Sequence, residues 1–288
     1  MKKYLSALLC IIMIFSMPFT AYADVGPKPS VNITFKGVDN GTVYYGTLLS
    51  ERESTGPASA WDGIEGHERH YDYSKELWRV FADYQDTDGY YFLQEVWKCT
   101  ETNQLNWTYY PPSTFKILLY FPDTYTYYVS DIYERYAFDS YYTVDLSDLR
   151  PEKQLTAEKS YDFTWEIISI VARIAATIVL EIAIAFVFGY REKKTVRFIA
   201  AVNIITQVLL NVTLNIINYS MGGMAFFIFF ILLEIAVFVL EAVIYAVLLR
   251  RFATNKTKGI KTTAYAFVAN LFSFAAGMWL SFVIPGIF

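Results

Sequence analysis

Four apolar stretches of membrane-spanning length occupy the C-terminal part of this 288-residue chain. A helix of about 20 apolar residues crosses the hydrocarbon core of a bilayer, because each residue adds about 1.5 Å of length. The pattern predicts a membrane domain at residues 161–288 that forms an α-helical bundle. The expected spans are about residues 165–188, 198–218, 224–249 and 262–284.

The charges between these stretches predict how the bundle is oriented. Residues 190–197 carry four basic residues, and residues 250–261 carry five basic residues and no acidic one. Both loops fall on the same side of the membrane if every stretch crosses it. Because basic loops are retained in the cytoplasm, we expect both loops there, and the C-terminus and residues 24–160 outside.

The start of the chain has the three parts of a secretory signal peptide. Lys2 and Lys3 form the charged end, residues 4–15 the apolar stretch, and Ala-Tyr-Ala at residues 21–23 the cleavage site. An uncleaved anchor is the alternative, although its apolar run is short for a span. We therefore expect residues 1–23 to be removed, leaving a multi-pass plasma-membrane protein.

Residues 24–160 have a different composition and predict an exported, β-rich domain. They hold 22 acidic residues against 12 basic ones, which argues against nucleic acid as a partner. Short runs of aromatic and β-branched residues alternate with turn signals, a pattern typical of an antiparallel β-sandwich. A turn at residues 38–41 joins the first two runs and predicts a β-hairpin. The runs are residues 31–35, 42–49, 90–99, 115–121 and 125–146.

Tyrosine is unusually abundant in this domain, with seventeen between residues 24 and 160. In strands a tyrosine ring often packs in the core while its hydroxyl remains in water. The other interpretation is a binding face, because exposed rings stack on sugars and proline-rich peptides. The spacing of the tyrosines does not distinguish the two.

One acidic segment resembles part of a calcium-binding loop. Asp86, Asp88 and Glu95 fall at the third, fifth and twelfth positions of such a loop. The first position would be Tyr84, which is not a calcium ligand, so an ordinary turn is the favoured interpretation.

The remaining reactive side chains do not point to an enzyme. His67 and His70 could bind zinc, but no third ligand is evident, and a solvated loop is favoured. Cys99 is the one cysteine after the predicted signal peptide, so it has no internal disulfide partner. No nucleophile elbow, phosphate-binding loop or cofactor motif occurs, and we expect neither catalysis nor a cofactor.

Polar residues within the predicted spans require an explanation. At about 1.5 Å per residue, they fall into an outer layer that pairs Arg173 with Glu234 and an inner layer around Glu181 and Glu241. Charges at this depth cost about 2.5–3.5 kcal/mol each on insertion scales, so we expect them to face one another. The predicted intramembrane polar residues are Arg173, Glu181, Asn203, Gln207, Asn211, Asn215, Glu234, Glu241 and Asn270.

Two roles are compatible with such residues. Interhelical hydrogen bonds and a charge pair hold helices in register, which is a structural role. Alternatively, two carboxylates without a neighbouring base share a proton or bind a cation, which is typical of ion-coupled transport. An intramembrane hydrolase finds less support, because the spans contain no histidine and no serine–lysine constellation.

The chain resembles a group of uncharacterised membrane proteins of Gram-positive bacteria. The similarity rests on DVGPKPS from residue 24, WTYYPPSTFKILLYFP from residue 107, and the N-x7-N and E-x6-E spacings in the spans. It implies a bacterial source and no particular activity. The first functional hypothesis is an exported domain that binds a surface ligand or partner protein, with the bundle as anchor or assembly module. The second is an ion- or proton-coupled transport component that uses the intramembrane carboxylates and amides.

Overall fold

A computed structural model describes residues 26–39, 41–55, 58–59, 64–67, 74–150, 153–249 and 259–283. The predicted signal peptide and His70 lie outside the described residues. Within them the chain forms two β-sheets with a short helix on one outer face, followed by four long apolar helices. The predicted fold class, a β-sandwich-like domain before a helical membrane bundle, is confirmed.

The strands of the β-rich domain form two larger sheets and one small hairpin. The first sheet has the order β12-β11-β1-β7. The second has the order β10-β8-β2-β5, with β6 also pairing with β2 and β9 with β8; β3 and β4 pair with each other. The strands are β1 Ser30–Lys36, β2 Tyr45–Ser50, β3 Ser54–Thr55, β4 Ala58–Ser59, β5 Tyr91–Phe92, β6 Trp97–Lys98, β7 Gln104–Trp107, β8 Thr114–Phe121, β9 Thr126–Val129, β10 Tyr133–Glu134, β11 Asp139–Asp145 and β12 Ala157–Lys159.

The predicted hairpin between the first two strands is wrong. Strand β1 pairs in parallel with β11 and antiparallel with β7, whereas β2 pairs with strands of the other sheet. Both strands carry an apolar face, and the chain buries these faces against each other by placing the strands in opposite sheets. All the other strand pairings are antiparallel among the described strands, apart from one isolated bridge.

Apolar side chains from the facing sheets fill the core of the sandwich. Cys99 lies in this core, and burial raises the pKa of its thiol to about 12, so it is an inert buried thiol. Tyr44 stacks on Phe121 there, with ring centroids 5.4 Å apart. The strands contribute Val31, Ile33, Phe35, Leu48, Leu105, Trp107, Phe115, Ile117, Leu119, Tyr142 and Val144 to the core.

A short helix covers the outer face of the second sheet. Helix α1 (Lys75–Ala82) begins at Ser74, whose hydroxyl accepts a hydrogen bond from the Leu77 N–H at 3.2 Å. Its Trp78 and Phe81 pack against Leu118 of β8. Strand β8 is therefore buried on both faces, which explains why its residues 117–121 are continuously apolar rather than alternating.

The four long helices form the membrane domain. They are α2 (Thr164–Val187), α3 (Lys193–Met221), α4 (Gly223–Ile244, followed by a π-helical turn Tyr245–Leu249) and α5 (Gly259–Val283). All four are long and apolar enough to cross a membrane. The bundle buries carboxylates and amides and exposes valine, leucine, isoleucine and phenylalanine. This distribution is the reverse of that in a water-soluble protein and fits a surrounding of lipid.

The β-rich domain docks on the turn between α3 and α4. The Phe138 N–H donates a hydrogen bond to the carbonyl oxygen of Tyr219 at 2.8 Å, and the Tyr219 ring contacts those of Tyr136 and Tyr161. Gly222 has φ +83°, and a Cβ atom there would lie 2.6 Å from the Phe138 ring. Glycine is thus needed at this position for both its backbone conformation and its lack of a side chain.

Candidate intramembrane proton site

Glu241 is held by neutral hydrogen-bond donors from two other helices. Thr206 of α3 donates its hydroxyl to Glu241 Oε1 at 2.6 Å, and Asn270 of α5 donates its amide to Glu241 Oε2 at 2.9 Å. The Glu241 side chain is fully buried. These two bonds join α3, α4 and α5 through a single carboxylate.

Glu181 of α2 lies against the same face of α5. Its Oε1 accepts a hydrogen bond from Ser273 at 3.4 Å, and Ser273 is one turn after Asn270 on α5. Glu181 is also fully buried, and it is near enough to Glu241 for their charges to repel. Its second oxygen, Oε2, accepts no hydrogen bond from the residues that the structure describes.

Asn203 of α3 completes the cluster. Its amide donates to the Tyr245 hydroxyl at 3.1 Å and to the Ile199 carbonyl at 3.0 Å, and its side chain lies within reach of Glu181. Asn203 Oδ1, like Glu181 Oε2, accepts no hydrogen bond within the described part of the chain. The Tyr265 hydroxyl donates to the Glu181 backbone carbonyl at 3.4 Å. These two acceptor oxygens of the cluster therefore lack a donor among the residues that the structure describes.

The basic residue of the spans lies in another layer. The Arg173 guanidinium stands over the Phe230 ring at 5.0 Å from its centroid. Arg173 and Glu234 both approach Gly277, where a Cβ atom would lie 3.9 Å from Arg173 Nη2 and 4.0 Å from Glu234 Oε1. Arg173 and Glu234 thus lie next to each other at Gly277. The hydrogen bonds that Glu181 and Glu241 accept come from neutral side chains instead.

The other amide side chains of α3 form hydrogen bonds mainly within that helix. Asn211 donates to the Gln207 carbonyl at 2.8 Å and to its side-chain oxygen at 3.3 Å. Asn215 donates to the Asn211 carbonyl at 3.1 Å. These amides line one side of α3, whereas Asn203 and Asn270 are the amides that the structure brings to the carboxylates.

Four residues of the cluster are not among those predicted from the sequence. Tyr245 comes four residues after Glu241, and Ser273 comes three residues after Asn270, so helical spacing places each pair on one face. Thr206 comes three residues after Asn203 and therefore lies on the same face of α3. Hydroxyl side chains are common in membrane helices, and only this spacing relative to the carboxylates and amides distinguishes them. The fourth residue is Tyr265.

The acidic segment that resembles a calcium loop has a different partner. The Lys116 ammonium of β8 donates to Asp86 Oδ1 and Oδ2 at 2.9 and 3.0 Å and also to Asp88. The N–H groups of Asp88 and Tyr90 bond to Asp86, which forms an ordinary turn. Glu95 is partly buried, which raises the pKa of its carboxyl, and no cluster of three metal-ligating side chains occurs among the described residues. A buried lysine already uses two of the three carboxylates, which favours the ordinary turn over the calcium alternative.

Comparison of the chain with protein-family models, with curated proteins and with solved structures yields no match. The site itself therefore carries the evidence for a function. The site consists of two buried carboxylates from different helices, the neutral donors that bind them, and two oxygens that still lack a donor.

The buried ion pair of the β-rich domain predicts a measurable effect on stability. Burial lowers the pKa of Lys116, but its bonds to Asp88 and Asp86 outweigh this effect, and the net pKa is raised. Asp86→Asn leaves the buried ammonium with a weaker partner and should lower the free energy of unfolding by about 3 kcal/mol. The more exposed Asp88→Asn should cost less than about 1 kcal/mol. Denaturant unfolding of this domain within the full chain, followed by near-ultraviolet circular dichroism, measures both.

The pH dependence of this effect has a definite sign. Because the pKa of Lys116 is raised on folding, its contribution is complete below the pKa of an unfolded lysine and is lost as pH rises through the folded value. From neutral pH upward, the difference between the parent protein and Asp86→Asn should therefore stay constant until alkaline solution and shrink there. Equal costs for the two variants, or a difference that already shrinks between neutral pH and the pKa of an unfolded lysine, contradict this account of the pair.

Proposed function

We propose that the protein is a proton-binding component of the plasma membrane that couples the protonation of Glu181 and Glu241 to ion movement or to a change in helix packing. The observation that carries this proposal is the pair of fully buried carboxylates, which among the described residues are bound only by neutral donors. The basic residue in the spans lies beside Glu234 instead and does not neutralise the pair.

The cost of burying charge in lipid supports a shared proton. One charge at the bilayer centre costs about 2.5–3.5 kcal/mol on insertion scales, and a second like charge nearby adds repulsion. A proton on Glu181 Oε2 removes one charge and supplies a donor where Glu181 and Asn203 both present unbonded oxygens. The geometry of the cluster therefore suits a carboxylate pair that holds one proton.

A purely structural role accounts less well for this arrangement. Interhelical hydrogen bonds contribute on average about 0.6 kcal/mol each, and amides or hydroxyls supply them without a charge. Polar residues that serve only to join helices would leave few acceptors unsatisfied, since each costs free energy when buried. Glu181 Oε2, Asn203 Oδ1 and Asn211 Oδ1 are such acceptors, and the first two lie beside the carboxylate pair, where a proton on Glu181 would supply a donor.

A groove on the apolar outer surface of the bundle reaches toward the cluster. It has a volume of about 300 Å³, runs between α4 and α5, and is lined by Glu234 and Asn270 together with apolar residues. Asn270 bonds directly to Glu241, so the groove ends one hydrogen bond from the carboxylate pair. Four spans are few for a solute carrier, and we propose that the chain works as an oligomer or as a subunit of a larger membrane complex.

The test measures proton movement by the reconstituted full chain. Liposomes that enclose a pH-sensitive dye are given a potassium diffusion potential, and the rate of internal pH change is recorded. Glu181→Gln and Glu241→Gln imitate the protonated side chains and should reduce the flux to that of protein-free liposomes. Glu192→Gln, at the exposed start of α3, removes a carboxylate outside the cluster and should retain the parent flux.

The same preparations separate function from folding. Thermal unfolding of the two cluster variants should match or exceed that of the parent protein, because glutamine keeps acceptor and donor groups without a buried charge. Full flux in a folded Glu181→Gln and Glu241→Gln double variant would show that the carboxylates are structural. Flux that is absent from the parent protein as well would exclude conduction by this chain alone and favour the second function below.

The second proposed function is recognition of a surface ligand or partner protein by the β-rich domain. Its support is a set of tyrosine rings that the core does not use, including Tyr125, which is 82% exposed, and Tyr91 and Tyr110, which are about half exposed. The contact between Phe138 and Tyr219 connects this domain to α3, which carries Asn203. We propose a bacterial plasma-membrane location with residues 24–160 extracytoplasmic and the loops at 190–197 and 250–261 cytoplasmic.

Photocrosslinking in intact membranes tests this second function. A benzophenone side chain is placed at Tyr91 or Tyr110, which both lie near Ser50 at the end of β2 and together form a tyrosine face, and at Glu158 as an exposed control on β12. Binding through the tyrosine face predicts one defined crosslinked product from both tyrosine positions and none from Glu158. The same products from all three positions, or none from any, contradict a specific tyrosine-lined binding face.

A further inference from the structure

A large cavity lies where the β-rich domain meets one end of the bundle. Its volume is about 960 Å³, and its walls come from β11, the segment that leads into α2, the first turn of α2 and the start of α4. It is separate from the carboxylate cluster, since none of the residues that line it belongs to that cluster. Neither function proposed above uses it.

The upper wall of the cavity, formed by the β-rich domain, the segment before α2 and the first turn of α2, is acidic and aromatic. Glu166 is 8% exposed, and its Oε1 accepts a hydrogen bond from the Tyr161 hydroxyl at 2.5 Å. Asp139 and Asp162 also line the cavity, as does the half-exposed ring of Trp165. No lysine or arginine is among the described residues of its lining. The wall therefore has a net negative charge that no basic side chain of the lining balances.

The hydrogen bond between Tyr161 and Glu166 determines which oxygen of the Glu166 carboxylate remains available to a ligand. Burial and the neighbouring Glu166 raise the pKa of Tyr161, so its hydroxyl stays protonated and remains the donor at neutral pH. Glu166 Oε1 is thereby occupied, and Oε2 accepts no hydrogen bond from the described residues. Asp139 and Asp162 have donors of their own in the Ser30 hydroxyl and the Thr164 N–H. Glu166 is therefore the carboxylate best placed to bind a ligand.

The lower wall, on the side of the bundle, is apolar. Met224 and Phe227 of α4 line it, and both are exposed on the surface of the bundle. Trp165 lies at the same end of the bundle, which is the position that tryptophan takes at the boundary between headgroups and hydrocarbon. The cavity thus has an acidic, aromatic upper part and an apolar lower part at the membrane surface.

We propose that this cavity binds an amphiphilic ammonium compound, with its cationic head between Glu166 and the rings of Tyr161 and Trp165 and its apolar chain along Met224 and Phe227. A carboxylate and aromatic faces together are the groups that bind ammonium ions in proteins. An amine-bearing lipid of the adjacent leaflet and a free amphiphilic amine share this chemistry. The site adds a ligand-binding function at the junction of the two domains.

The test uses dodecylamine as the probe and the full-length chain in a neutral maltoside detergent. Equilibrium binding of radiolabelled dodecylamine should saturate at one molecule per chain, and dodecyl sulfate should not compete. Glu166→Gln keeps an acceptor for Tyr161 but removes the charge, and should weaken binding about tenfold or more, since bonds to charged groups are the stronger ones. Trp165→Leu should weaken binding as well.

Matched variants and a folding readout complete the experiment. Glu158→Gln removes an exposed carboxylate of β12 that does not line the cavity, and should bind dodecylamine like the parent chain. A thermal unfolding transition of Glu166→Gln that matches the transition of the parent chain establishes that the fold is retained. Parent-like binding by folded Glu166→Gln, equal binding of dodecyl sulfate, or non-saturable uptake each overturns the proposal.

A second arm identifies the source of the ligand. The full chain is placed in nanodiscs of phosphatidylglycerol with or without phosphatidylethanolamine, and dodecylamine binding is repeated with empty nanodiscs subtracted. Weaker apparent dodecylamine binding in the phosphatidylethanolamine nanodiscs assigns the site to an amine-bearing lipid. Unchanged affinity assigns it to a free amphiphilic amine. Both results support the ammonium site when Glu166→Gln abolishes the binding.

Discussion

The packing of the membrane domain depends on the hydrogen bonds that its buried carboxylates accept in an apolar surrounding. The Glu241 carboxylate on α4 accepts hydrogen bonds from the Thr206 hydroxyl on α3 and from the Asn270 amide on α5, so one buried carboxylate joins three helices. Lipid provides no polar partner, and each polar group must find its partner inside the bundle. This requirement explains why the polar residues gather at the centre while apolar side chains cover the outside. Glu181 Oε2 and Asn203 Oδ1, two of the oxygens without a donor among the described residues, are the place where we propose that a proton completes the arrangement.

The β-rich domain buries charge in the opposite way. The Lys116 ammonium is buried on β8 but bonds to the Asp86 and Asp88 carboxylates. Oppositely charged partners therefore stabilise it, and no additional proton is required. Glu181 and Glu241 have no such counter-ion among the described residues, since Arg173 of the same bundle lies beside Glu234. This difference is the reason to assign a structural role to the first cluster and a functional role to the second.

The sequence predicts those features of the fold that local patterns determine. Hydropathy over a window places the spans within a few residues, and depth along each helix is enough to group Glu181, Glu241, Asn203 and Asn270. Sheet assignment depends on contacts between distant residues, and for that reason the predicted hairpin of β1 and β2 is wrong. The bond from Lys116 to Asp86 likewise spans 30 residues of sequence. The junction cavity arises only where two domains meet, so no single segment indicates it.

The central claim is that Glu181 and Glu241 together hold a proton at neutral pH, and infrared spectroscopy of the full chain in bilayers measures this most directly. The carbonyl stretch of a protonated carboxylic acid is separate from the bands of an ionised carboxylate. We expect a protonated-acid band at neutral pH that shifts in deuterium oxide and is lost in the Glu181→Gln and Glu241→Gln double variant. A spectrum at neutral pH with no protonated-acid band attributable to these two residues would contradict the account.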